Sequence, residues 1–218
     1  MSTRDEKRNI LYANLMDEVK VRIDCISTTC NGRGSYPTVI TREFCYLQLR
    51  MLCELVALSC LVAHGDIGAL QSHKVGKAYS ADEILDRLTK LRPYFYPIAV
   101  RQELKLGPPK SFVLHGIEPS PLPKEELLSL YAKTHRYLHR GSLKRMLSMD
   151  VPIDTKVNIP EIIAWAQKIN DLLSTHTIPI SEKEAIICVL RNMDNNNKVQ
   201  VATAEALSAP PGRPLELW

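Results

Sequence analysis

The chain has 218 residues, of which 45% are hydrophobic and 24% are charged, as in an ordinary globular domain or a domain with an appendage. The formal net charge of +4 argues against a protein that coats nucleic acid along its whole surface and favours a local basic patch. Its six cysteines form no CxxC pair, and three lie in an apolar run, so we expect reduced thiols rather than a disulfide framework.

The N-terminal residues Met-Ser-Thr-Arg-Asp-Glu-Lys-Arg lack the apolar core of a signal peptide. The most hydrophobic stretch, residues 51–63, is too short to span a bilayer and contains Glu54. The sequence therefore predicts a cytoplasmic protein that does not associate with a membrane.

Two long helices are predicted before residue 65. Apolar residues recur every three or four positions across residues 5–28, the pattern of an amphipathic helix, and turn residues at 31–37 end it. A second helix begins at Thr38 or Thr41 and ends near Ala63. Because this helix is apolar on nearly all sides, we expect it to lie at the buried centre of the fold.

Arg50 and Glu54 stand one helical turn apart on this second helix. An arginine buried there without a partner would be costly, so we interpret the two side chains as a structural polar pair. The alternative is that the pair forms the floor of a pocket.

The middle of the chain is predicted to be irregular. Ser80 begins a short helix that ends near Leu91, and Glu83 completes a capping box with it. Residues 92–123 contain seven prolines and cannot form one long helix, although residues 111–115 weakly suggest a short strand.

Two helices and a hairpin are predicted in the remainder. The helices cover residues 124–139 and 158–173, the second with a proline in its first turn. The β-prone runs 184–191 and 198–204 flank the Asn-rich turn 194–197, which indicates a β-hairpin.

The predicted fold is therefore mainly α, a bundle of about five helices with a C-terminal β-hairpin. The bundle would span residues 1–180, followed by a hairpin appendage at 181–207 and a flexible, proline-containing tail at 208–218. A lone hairpin is marginal in water, so we expect it to pack on the bundle or to pair with another chain.

The segment from Tyr131 to Arg145 carries the strongest functional signal. It contains no acidic residue and five basic ones, namely Lys133, Arg136, Arg140, Lys144 and Arg145. Such a run predicts a basic patch that would attract RNA or an acidic protein partner. An ordinary solvated helix face is the alternative.

Tyr131, His135 and His139 recur every four residues in this segment, so a helix would place them on one face. Neighbouring arginines lower the pKa of a histidine, which could then take a proton from a ribose hydroxyl while Arg136 and Arg140 hold phosphate. The histidines could instead line the edge of a buried face. A metal would need a third ligand that the sequence does not supply, so we predict no metal and no cofactor.

The order of these features resembles the HEPN-like helical proteins of bacterial defence and toxin systems. Those proteins are bundles with two long early helices and a late helix that carries a polar motif. The long apolar helix 41–63, which contains Arg50 and Glu54, and the later Tyr131–Gly141 segment look like these two parts. The resemblance covers roughly residues 5–150 and implies a homodimer with residues 131–140 near the interface.

Two functions follow as expectations. The first is a non-enzymatic, dimeric interaction module whose basic helix 124–145 docks RNA or an acidic partner. The second is a metal-independent ribonuclease with His135 or His139 as the base, and with Arg136, Arg140 and Tyr131 assisting. Ribonucleases of the HEPN-like group place four to six residues between the arginine and the histidine, whereas only two residues separate Arg136 from His139. We therefore favour the first function.

Overall fold

A computed structural model describes residues 3–33, 36–65, 80–92, 94–105, 111–138, 157–205 and 215–217. Within these ranges the protein is mainly α with a substantial β component. The helices are α1 (Thr3–Thr28), α2 (Thr38–Ala63), α3 (Ala81–Leu91), α4 (Lys124–Leu138) and α5 (Ile159–Leu173). The strands are β1 (Ile98–Lys105), β2 (Ser111–Gly116), β3 (Thr175–Pro179), β4 (Glu184–Asn192), β5 (Lys198–Glu205) and β6 (Leu215–Leu217).

Helix α2 forms the centre of the helical layer, as its all-round apolar pattern predicts. Thirteen of its 26 residues are buried, and it contacts α1, α3, α4 and α5.

Helix α2 is longer than the apolar run 51–63, so it is not too short to span a membrane, as that run is. By length and composition α2 is the one described helix that could cross a bilayer. However, 61% of its most apolar window is buried inside the fold, as in the core helix of many proteins.

Helix α1 lies against α2 and contributes a fully buried stripe that includes Tyr12, Met16, Val19 and Ile26. These positions are three, four or seven residues apart, so they share one face of the helix. A π-helical turn at Thr29–Arg33 follows, in which Gly32 has a φ of 76°, a conformation that favours glycine and ends the helix.

The predicted hairpin exists but is part of a larger sheet. β4 and β5 pair antiparallel around Asn196 and Asn197, whose left-handed φ values of 51° and 58° suit asparagine. The sheet continues in the order β5-β4-β3-β1-β2-β6, and every described pairing is antiparallel. The extra strands satisfy the inner edge of β4, which a lone hairpin would leave open.

The prediction of an irregular segment at 92–123 was wrong in its central part, although β2 matches the short strand suggested at residues 111–115. β1 and β2 pair there from Val100–Gly116 to Lys105–Ser111. The prolines of this segment lie before, between and after the two strands, so they remove no donor from the ladder. Similarly, residues 215–217 of the predicted flexible tail pair with β2 as β6. The rest of that tail is outside the described residues.

Candidate functional site

Helix α4 carries the described part of the segment singled out above. It begins after Pro123, and Glu125 and Glu126 in its first turn complement the positive end of the helix dipole. Its buried residues are Leu127, Leu130, Tyr131 and Thr134, a stripe at helical spacing that packs on α2. His139, Arg140, Lys144 and Arg145 lie outside the described residues.

Tyr131 lies against the predicted polar pair of α2. The Arg50 guanidinium donates to the Tyr131 hydroxyl at 2.5 Å, and that hydroxyl donates to the Glu54 carboxylate at 3.2 Å. Arg50 Nε and Glu54 Oε1 are also 3.2 Å apart, and the guanidinium carbon lies 4.2 Å from the centre of the tyrosine ring. The three side chains thus form one network, here called the α2–α4 clasp, which joins the two helices.

The α2–α4 clasp is half buried rather than sealed. Tyr131 is 7% exposed, while the side chains of Arg50 and Glu54 keep 23% and 21% of their surface in water. Burial raises the pKa of Tyr131, the Glu54 charge raises it further, and Arg50 opposes both effects. The phenol therefore remains protonated and acts as the bridging donor between the two charged groups.

The structure separates Tyr131 from His135, which were predicted to share a face. Tyr131 is buried, whereas His135 and Arg136 are exposed. A helix rotates by about 100° per residue, so four residues make one full turn and about 40° more. This extra rotation carries His135 away from the buried stripe that contains Tyr131. Of the predicted catalytic set that the structure describes, only His135 and Arg136 can be reached from solvent.

Lys133 is neutralised by a carboxylate from another helix. Its ammonium group forms an ion pair with Glu161 in the first turn of α5. The hydrogen bond from Lys133 is the largest influence on Glu161 and lowers the pKa of that carboxyl, although burial opposes it. The acid was missed because the sequence shows no acidic residue near Lys133 along the chain. The described part of the basic patch is therefore smaller than the sequence predicts.

The two tyrosines of α4, which could in principle stack on a nucleic-acid base, already have partners in the protein. Tyr137 stacks on Tyr46 of α2, with ring centres 3.9 Å apart and planes inclined by 12°. Arg42 lies 5.5 Å from the centre of the Tyr137 ring, and Arg50 covers the Tyr131 ring. These contacts leave little aromatic surface on α4 for base stacking.

Tyr12 and His176 form a second polar contact that the sequence does not reveal. Both are fully buried, and the Tyr12 hydroxyl lies 2.6 Å from His176 Nε2. His176 Nδ1 is 2.9 Å from the backbone oxygen of Leu173, so Nδ1 carries the proton and Nε2 accepts from the tyrosine. Burial lowers the pKa of His176 to about 4, so the imidazole is neutral at pH 7.

His64 follows the last turn of α2 and is also buried. Its Nδ1 is 2.9 Å from the Cys60 oxygen, and its Nε2 is 2.9 Å from the Pro179 oxygen at the end of β3. Burial lowers the pKa of His64, while the two carbonyl contacts raise it. Its place between α2 and β3 gives it a structural role in joining the helices to the sheet.

The described residues bring together no group of three or more His, Cys, Asp or Glu side chains that could hold a metal ion. All six cysteines are free thiols, and four of them, Cys45, Cys53, Cys60 and Cys188, are buried.

Comparison with protein-family models, with characterised proteins and with solved structures finds no match to this chain.

Proposed function

We propose that this protein is a non-enzymatic helical interaction module, dimeric in solution, whose exposed α4 end docks an acidic protein segment. The observation that supports this proposal is the contrast between neighbouring turns of α4. Tyr131 is held in the α2–α4 clasp, whereas His135 and Arg136 are exposed one turn later.

The side chains of the clasp already bind one another across α2 and α4. A catalytic group must come within hydrogen-bond distance of the substrate, but the Tyr131 hydroxyl already contacts both Arg50 and Glu54. The ring is covered by the same arginine. These contacts favour a role in stability over a role in chemistry.

The exposed end of α4 leads into the most basic part of the sequence. Arg136 is exposed, and Arg140, Lys144 and Arg145 follow it along the chain without an intervening acid before Asp150. Positive charge of this density attracts an anionic partner. Because the α4 tyrosines are already stacked within the protein, an acidic protein segment fits this surface better than single-stranded RNA.

The test measures binding of the full chain to a fluorescent poly-glutamate peptide and to a fluorescent poly-uridine RNA, by anisotropy at two salt concentrations. We expect salt-sensitive peptide binding that Arg136→Glu weakens about fivefold. Lys183→Glu, an equal change of charge at an exposed position between β3 and β4, is the matched control and should have little effect. Equal loss in both variants, or RNA binding without peptide binding, would contradict the proposal.

The dimeric state rests on the HEPN-like resemblance and is tested separately. Light scattering of the purified chain should give twice the mass of 24.6 kDa. A monomer across the micromolar range would remove this part of the proposal without affecting the docking surface.

A metal-independent ribonuclease is the second candidate, because exposure lets His135 and Arg136 reach a substrate. RNA cleavage in EDTA that is lost in His135→Ala or His139→Ala would replace the module by this enzyme. Arg140→Ala should then also reduce the rate, since it would hold phosphate.

A further inference from the structure

Two cysteine thiols meet at the corner between α1 and α2. The Sγ atoms of Cys30 and Cys45 are 3.9 Å apart, within the distance of a thiol–thiol hydrogen bond, although 15 positions separate the two residues. Among the described residues no other pair of thiols makes such a contact. This arrangement concerns a different part of the molecule from the proposed docking surface.

The two thiols differ in their access to solvent. Cys30 is half buried in the Thr29–Arg33 turn, whereas Cys45 is fully buried on α2. A small reagent would therefore reach Cys30 first. Gly32, two residues later, departs from helical geometry, so Cys30 lies in the last, π-helical turn at the end of α1.

We propose that Cys30 and Cys45 form a modification site, at which a small-molecule disulfide such as oxidised glutathione converts the two thiols into an intramolecular disulfide. A disulfide needs about 2 Å between its sulfurs, so the Cys30 side chain and its turn must move by about 2 Å. The product ties the end of α1 to α2.

The reaction takes two exchange steps. In the first, the Cys30 thiol loses a proton, and its thiolate attacks one sulfur of the oxidant. The oxidant's sulfur–sulfur bond breaks, and one glutathione leaves and takes up a proton. In the second, the Cys45 thiol loses its proton and its thiolate attacks the Cys30 sulfur, which releases the second glutathione as a thiolate that takes up a proton. Overall, two protein thiols are oxidised and one small disulfide is reduced to two thiols.

The surroundings predict how the rate depends on pH. Burial raises the pKa of Cys30, and the contact with Cys45 opposes this effect. Burial also raises the pKa of Cys45 to about 12. Thiolate is scarce at neutral pH, so oxidation should be slow at pH 7 and faster as the pH rises.

The experiment treats the full chain with oxidised glutathione, blocks the remaining thiols and maps tryptic peptides by mass spectrometry. Cys45 lies in the peptide 43–50, but the peptide 23–33 contains both Cys25 and Cys30. Cys25→Ser therefore serves as the matched control for Cys30→Ser. We expect the linked peptides in the wild type and in Cys25→Ser, and not in Cys30→Ser or Cys45→Ser.

The oxidised protein should also melt about 5 °C higher than the reduced protein, because the cross-link restricts the unfolded chain. Dithiothreitol should reverse the shift. A wild type that carries only a glutathione adduct, or a cross-link through Cys25, would overturn the assignment. The wild-type and Cys25→Ser results decide the matter even where Cys45→Ser does not fold.

Discussion

Two tyrosine-centred contacts join distant parts of this protein, and each limits the free-energy cost of burying polar groups in a different way. Tyr12 and His176 meet between α1 and β3, are fully buried and carry no charge at pH 7. Tyr131 meets Arg50 and Glu54 in the α2–α4 clasp, where both charged side chains keep about a fifth of their surface in water.

The comparison shows which kind of polar contact this fold can bury completely. In the Tyr12–His176 pair each donor has an acceptor, so full burial leaves none of the interacting groups unsatisfied. A charged pair would lose its hydration in the same place, and the desolvation cost can exceed the attraction between the charges. The clasp avoids this cost by staying at the edge of the core.

Acidification should break the Tyr12–His176 pair and produce the largest effect. The folded-state pKa of His176 is about 4, below its ordinary value of 6.5, so between these values the unfolded chain binds more protons. The contribution to stability is complete above pH 6.5 and is lost as the pH falls to 4. It amounts to about 3 kcal/mol, measurable by chemical unfolding across this range.

His176→Asn is the matched control for this acid effect. The asparagine amide can still donate to the Leu173 oxygen but does not titrate. The variant should be less stable at pH 7 and should lose less stability on acidification than the wild type. An unchanged pH dependence would show that another group is responsible.

Arg50→Ala should produce the next largest effect, a loss of about 2 kcal/mol in the free energy of unfolding. It leaves Glu54 with only the Tyr131 hydroxyl as its described partner. Breaking a fully buried pair costs roughly 3–5 kcal/mol, and the partial exposure of the clasp reduces this value. An unchanged free energy of unfolding would mean that the side chains of the clasp are fully exposed to solvent.

Removing one hydroxyl from each contact compares them directly. Tyr12→Phe should cost about 1–2 kcal/mol, because buried His176 Nε2 would be left without a donor. Tyr131→Phe should cost less than about 1 kcal/mol, since Arg50 and Glu54 still pair with each other and reach water. The reverse order, measured by urea unfolding, would contradict the comparison.

The sequence predicted features that depend on neighbours along the chain. The central position of α2 follows from its apolar pattern, and the Arg50–Glu54 pair follows from its spacing of one turn. The placement of Tyr131 on that pair could not be predicted in the same way, because 77 and 81 positions separate the residues. The Tyr12–His176 contact spans 164 positions and has no local pattern at all.

The sheet was underestimated for a related reason. The number of prolines in residues 92–123 suggested irregular structure, but what matters is their position, and they lie outside β1 and β2. Pairing between β1 and β3 joins residues from the middle and the end of the chain, so the sequence showed only the local β4–β5 hairpin and the short strand at 111–115.

A double-mutant cycle in urea unfolding tests whether the α2–α4 clasp holds α4 on α2. The cycle combines Arg50→Met, which retains much of the packing on the tyrosine ring, with Tyr131→Phe. We predict a coupling energy of about 0.5 kcal/mol between the two positions, with native helix content in every variant. A coupling near zero would mean that the two side chains do not act together in the folded protein, and the structural role of Tyr131 would be wrong.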